Sequence, residues 1–197
     1  VTKFPIIEAM LAVPREVFVP DGKQEAAYMG ENMALGDGIL LLEPRTAAKM
    51  LDALDIQRDE LVLDIGSGLG YSAAVIAQMA EAVVAVEPDE QRATEAQGLV
   101  SDAGADNVVM HVGPLAEGAA EHGPYDVITV QGGVEQVPST LLDQLKEGGR
   151  IACLFMEGPL GAMRVGHKID GEINWRFSFN AAAPVLTGFE KVASFAF

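Results

Sequence analysis

The chain has 197 residues, 49% of them hydrophobic, enough to bury one sizeable core and too few for two ordinary domains. Acidic residues number 29 against 13 basic ones, and the formal charge of −16 repels a phosphate backbone, so nucleic acid is not an expected partner. A single cysteine, Cys153, excludes an intrachain disulfide and a thiolate metal cluster and fits a reducing, cytoplasmic setting. No apolar stretch approaches bilayer length and the start lacks a signal-peptide pattern, so no membrane association is expected.

Ile6, Ile7, Met10, Leu11 and Val13 fall at helical spacing within a segment from Pro5 to about Phe18, which Pro14 and Pro20 interrupt. A glycine-punctuated stretch (Gly30, Gly36, Gly38) reads as a loop, and Thr46 to Asp55 as an amphipathic helix. Strand and helix patterns then alternate: strand Leu61 to Ile65, helix Tyr71 to Ala80, strand Ala82 to Val86, helix Asp89 to Asp102, strands Asn107 to Val112 and Tyr125 to Val130. This alternation predicts an α/β fold with a doubly wound, mostly parallel sheet. A helix from Pro138 to Lys146, ended by Gly148-Gly149, precedes a strand over Arg150 to Phe155. Ala162 to His167 and Glu172 to Phe177 flank Asp170-Gly171, a hairpin signal, so antiparallel strands should close the sheet. Val192 to Phe197 reads as a last strand.

Chemistry concentrates in Val62-Leu-Asp-Ile-Gly-Ser-Gly-Leu-Gly-Tyr71, a strand running through a glycine turn into a helix. Alternate glycines permit a tight turn and close backbone approach of a ligand at the helix N-terminus. A dinucleotide fingerprint would need Gly or Ala where Tyr71 stands. The spacing Asp64-x-Gly66-Ser67-Gly68-x-Gly70 instead resembles the first motif of class I S-adenosylmethionine-dependent methyltransferases. Strand Val83 to Glu87 ends in a carboxylate 17 residues past Gly70, placed to accept from both ribose hydroxyls of that cofactor. Asp64 could meet the ammonium of its methionine part or cap the turn amides. Cofactor contacts are thus expected from Asp64, Gly66, Ser67, Gly68, Gly70, Tyr71 and Glu87.

Met10-Leu-Ala-Val-Pro-Arg-Glu-Val-Phe-Val-Pro20, Val62 to Tyr71, Tyr125 to Val130 and Val137 to Gly149 follow one another in the order found in protein-L-isoaspartate O-methyltransferases, which the chain resembles from Val1 to roughly Gly149. The resemblance implies a Rossmann-like methyltransferase domain over residues 1–197, S-adenosylmethionine as cofactor, and a free carboxylate in a protein or peptide as acceptor. A carboxylate with a pKa of about 4 is already ionised at neutral pH, so alignment and desolvation matter more than a general base.

The resemblance also fails at two places. The family loop usually reads Gly-Gln-Thr-Ile-Ser-x-Pro, whereas this chain has Gly38-Ile-Leu-Leu-Leu-Glu-Pro44, placing Leu40 and Leu42 where the family has Thr and Ser hydroxyls. An acceptor carboxylate left without such donors loses roughly 1–3 kcal/mol. Catalytic residues are therefore not assigned, and Glu43, Pro44 and Arg45 remain as the substrate-side loop. The family's acidic residue toward adenine is replaced within Gly113-Pro114-Leu115, leaving backbone carbonyls or Glu117 for that task. Three readings stay open: an isoaspartyl or related carboxyl methyltransferase, a methyltransferase for a more apolar acceptor lined by Ile39 to Leu42, and a non-catalytic cofactor-binding module. His111, His122 and His167 are not paired at ligand spacing in sequence, so no metal site is expected.

Overall fold

The computed structural model describes residues 3–191, which leaves the strand expected over Val192 to Phe197 outside the described residues. Helix α1 (Phe4–Ala12) opens on Pro5 and buries Ile6 and Ala9, while Phe4 and Leu11 stay exposed. It is shorter than the sequence suggests, because Pro14 stops it and Arg15–Phe18 form a separate 3-10 turn. The stretch read as a loop is instead a hairpin of β1 (Met33–Gly36) and β2 (Ile39–Leu41), turning through Asp37 and Gly38 at positive φ. Its signal was hidden because all three β2 residues are buried and so do not alternate. Helix α2 (Pro44–Leu54) begins at proline, as a first helical turn allows, and ends with Asp55 in the left-handed region.

Strands β3 (Leu61–Ile65), β4 (Ala82–Glu87) and β5 (Val108–Val112) alternate with helices α3 (Tyr71–Ala77) and α4 (Glu90–Asp102), the latter capped by Asp89 accepting from the Arg92 amide. Strand β6 (Tyr125–Val134) continues past the expected end at Val130, since Gly132 and Gly133 let residues 183–189 cross close by. There the Gly133 amide donates to the Pro184 carbonyl at 2.8 Å, and the Leu186 amide returns a bond to the Gly133 carbonyl at 2.9 Å.

The helix expected over Pro138 to Lys146 is only α5 (Ser139–Leu142), and β7 (Leu145–Glu157) takes over at Leu145. Tertiary pairing overrides the local pattern, because the Tyr125 amide already bonds the Gln144 carbonyl at 2.8 Å. Strands β8 (Leu160–Ile169) and β9 (Glu172–Asn180) form the anticipated hairpin, with Asp170 and Gly171 both at positive φ.

The main sheet has seven strands in the order β5-β4-β3-β6-β7-β8-β9, parallel from β5 to β7 and antiparallel beyond. Its two faces are covered by separate apolar clusters, one under α1, α2 and α3 and the other around Leu115, Leu141, Leu186 and Phe189. The chain order reverses between β3 and β6, so the carboxyl ends of these strands open the crevice where a doubly wound sheet places its ligand.

Candidate functional site

At that reversal Asp64, fully buried in β3, accepts from Thr129 Oγ1 at 2.5 Å, Gln131 Nε2 at 2.7 Å and Ser72 Oγ at 2.5 Å. It thereby ties β3 to β6 and to α3 rather than capping the turn amides. Burial pushes its carboxyl above the usual carboxylate range, against the three hydrogen bonds that favour the charged form. A charged carboxylate has about four acceptor positions, and Oδ2 uses one of its two, for Ser72, among the described residues. Ser72, Thr129 and Gln131 carried no motif in the sequence; the turn into α3 returns Ser72 to Asp64, and the pairing of β3 with β6 brings Thr129 and Gln131.

The glycine turn closes with the Gly66 amide on the Val86 carbonyl at 3.0 Å and the Gly70 amide on the Ser67 carbonyl at 2.9 Å. Gly70 has φ +94, and a Cβ there would meet Val100 Cγ1 at 2.7 Å, so helix α4 packs directly on the turn only because the position is glycine. Ser67 Oγ is buried without a partner. Glu87, fully buried at the end of β4, accepts from the Asp89 amide through Oε1 at 3.0 Å and has Arg92 Nη2 at 2.7 Å from the same oxygen. The Arg92 contact is an ion pair outside hydrogen-bonding geometry, and Glu87 Oε2 is left buried with no partner. Arg92 also reaches Asp37 on the hairpin tip at 3.3 Å.

Asp64, Gly66, Ser67, Gly68, Gly70 and Tyr71 follow one another through β3, the glycine turn and the start of α3, and Glu87 ends the neighbouring strand β4. The orphaned acceptor at Glu87 and hydroxyl at Ser67 fit a ligand bearing hydroxyls and a polar tail. An apolar surface lies close to the turn. A Cβ on Gly68 would stand 2.5 Å from Leu35 Cδ1 and 3.1 Å from Ile39 Cγ2, so the hairpin β1–β2 rests on the turn.

On the substrate side, Ile39, Leu40, Leu41 and Leu42 are all buried. They belong to the core, and Leu41 and Leu42 border a small cavity of about 20 Å³ shared with Met10, Arg15, Tyr71, Ser72 and Gln131. Glu43 accepts from Thr46 Oγ1 at 2.6 Å, and Pro44 opens α2. Arg45 is exposed and lines an outer groove with Glu43, Lys49 and Asn180. Pro114 and Glu117 are exposed, while Leu115 between them packs toward Gly66.

Arg15 was not singled out in the sequence, although Val13-Pro14-Arg15 carried the family resemblance. It is 1% exposed, donates through Nε to the Ala27 carbonyl at 2.6 Å and through Nη2 to the Leu42 carbonyl at 2.5 Å, and lies over the Tyr71 ring at 4.9 Å. Burial lowers its pKa. It pins the substrate-side loop to the helix that follows the glycine turn. The histidines also differ from expectation: β5 and a 3-10 turn bring His111 and His122 to a ring separation of 5.7 Å with Glu121 between them.

Residues 1–176 match the family model of protein-L-isoaspartate(D-aspartate) O-methyltransferase. The chain belongs to this family. Curated relatives of that name include one from Syntrophobacter fumaroxidans, 36% identical over 146 residues, covering 74% of this chain and 68% of the relative. One from Nitrosococcus oceani is 34% identical and covers 95% of this chain and 86% of its own length. A solved protein-L-isoaspartate O-methyltransferase superposes with a TM-score of 0.83 at 27% identity, covering 94% of this chain but 62% of that one. A solved Plasmodium falciparum chain in complex with S-adenosyl-L-homocysteine shares the fold, with a TM-score of 0.80 at 19% identity.

S-adenosylmethionine is the cofactor of the family, and Asp64, Ser67, the glycine turn and Glu87 are the residues here that fit it. When bound, the cofactor supplies a methyl group on a sulfonium. In such a site the residues that would hold it are Glu87, whose unpartnered Oε2 would accept from a ribose hydroxyl, and the turn from Gly66 to Gly70, whose backbone would face the ligand. No helix among the described residues is long and apolar enough to cross a membrane.

Proposed function

We propose that this chain transfers the methyl group of S-adenosylmethionine to the free carboxylate of isoaspartyl residues in protein or peptide acceptors. The observation that carries this reading is the conjunction of a family match over residues 1–176 with a buried acceptor, Glu87 Oε2, left unpartnered beside the glycine turn. A ribose hydroxyl would satisfy that atom. The net charge of −16 supports a protein acceptor over a nucleic acid, and the lone, buried Cys153 supports a cytoplasmic setting.

Leu40 and Leu42 favour a second reading, in which the cofactor binds but the acceptor is not isoaspartyl. Both are buried, so neither can be exchanged for water or a polar contact without opening the core. Calorimetric titration with S-adenosylhomocysteine, followed by methyl transfer to an isoaspartyl peptide and its aspartyl control, separates the two. Binding with isoaspartyl-selective turnover supports the first reading; binding without turnover supports the second; absence of binding removes both.

A further inference from the structure

The edge of the sheet away from the hairpin carries a cluster that the methyltransferase reading does not use. His111, on edge strand β5, faces Glu121 and His122, which end the 3-10 turn Ala120–His122. His111 Nδ1 stands 3.5 Å from Glu121 Oε1, and His122 Nε2 stands 3.4 Å from the same oxygen. One donor atom from each of the three residues lies within 4.8 Å of the others.

The geometry points to a binding site for one first-row divalent cation of the zinc class, held by His111, Glu121 and His122 with a solvent position completing the set. Around tetrahedral zinc, bonds of about 2.0–2.2 Å place the donors roughly 3.3–3.5 Å apart. Two of the three donor separations therefore already have the length that a bound ion would impose. The third closes by rotation of the His122 side chain, which is 41% exposed. Two imidazoles and a carboxylate suit zinc, copper or nickel better than the oxygen-seeking magnesium or calcium.

The scaffold under the cluster is fixed. Gly113 lets the His111 ring lie against the backbone, since a Cβ there would come within 3.0 Å of Nε2. The ligand-bearing turn is anchored by buried Tyr125, whose hydroxyl donates to the Ala119 carbonyl at 2.6 Å, and is closed by the His122 amide on the Ala119 carbonyl at 3.1 Å. A surface ion pair without a metal is worth only about 0–1 kcal/mol and gives no reason for two imidazoles to share one carboxylate oxygen. The strongly acidic surface also concentrates cations around the chain.

The test is calorimetric titration of the untagged, metal-stripped chain with zinc chloride near neutral pH. His111→Gln, Glu121→Gln and His122→Ala are titrated alongside, with magnesium chloride as a control on the unaltered chain. One zinc per chain with micromolar affinity is expected, and no magnesium heat. Each variant should bind zinc at least about tenfold more weakly, the lower end of what loss of even an outer-shell partner costs. Glu121 and His122 are exposed, so these variants should melt at the temperature of the unaltered chain without zinc, and zinc should raise only the latter's melting temperature. Absence of zinc binding, or several weak zinc ions per chain that the three substitutions leave unchanged, would overturn the site.

Discussion

Leu35 of the hairpin stands against Gly68 of the glycine turn, so closely that a Cβ on the glycine would lie 2.5 Å from its Cδ1. A cofactor reaching Gly68 from this side would have to displace the aliphatic side chain, and the Arg92–Asp37 contact lies at the tip of the same hairpin. Leu35→Ala is expected to tighten S-adenosylhomocysteine binding about tenfold, corresponding to ~1.4 kcal/mol. Calorimetry decides this. Unchanged or weaker affinity would show that the hairpin does not obstruct the crevice.

Glu87 is expected to contribute in two ways that a single substitution separates. Glu87→Gln keeps an oxygen for the Asp89 amide but removes the charge facing Arg92 and replaces an acceptor with a donor. Loss of ribose pairing should weaken S-adenosylhomocysteine by roughly ten- to a hundredfold, in line with about 1–3 kcal/mol for a buried group left unsatisfied. Thermal melting should also fall, because Arg92 keeps only the exposed Asp37 as partner. Full affinity in this variant would take Glu87 out of the site.

Asp64 is expected to trade stability for binding. Its folded-state pKa is raised by burial, so between the unfolded value and the raised one the native state holds more protons than the unfolded state. Its contribution to stability therefore improves as pH falls from neutral through that window, and at neutral pH the buried charge is a cost. Asp64→Asn should melt no lower than the unaltered chain at neutral pH and lose relative stability as the medium is acidified, while weakening the cofactor. Melting curves of both proteins across mildly acidic pH read the difference. A gap that widens in the variant's favour on acidification would reverse the assignment.

Restoring hydroxyls tests the acceptor loop directly. Leu40→Thr with Leu42→Ser reinstates the donors that the family uses and is expected to raise isoaspartyl turnover by about ten- to a hundredfold, the equivalent of roughly 1–3 kcal/mol. Both leucines are core residues, so each substitution should cost about 2–5 kcal/mol of stability. Turnover assays must therefore be run well below its melting temperature. If folded double variant turns over no faster, the hydroxyls are not what limits this chain.

The parallel half of the fold could be read from the sequence because each of its elements is self-declaring: apolar runs between glycine turns make strands, and amphipathic segments between them make helices. The strand–turn–helix that carries the proposed cofactor residues was legible for the same reason, since Asp64, Gly66, Gly68, Gly70 and Glu87 are set by spacing along the chain. The hairpin at Met33–Leu41 was not, because its buried leucines mimic a core run. Helix α5 stopped short because the backbone at Gln144 is claimed by β6.

What the sequence by itself determined was one strand–turn–helix unit with its acidic and glycine residues and the presence of Leu40 and Leu42 in the loop before α2. Only the tertiary structure decided that Arg15 pins that loop, that Thr129 and Gln131 grip Asp64, that Leu35 covers Gly68, and that His111 meets His122. The first set depends on neighbours along the chain. The second depends on residues far apart in sequence whose separation collapses only when the sheet forms, and no local spacing encodes that distance.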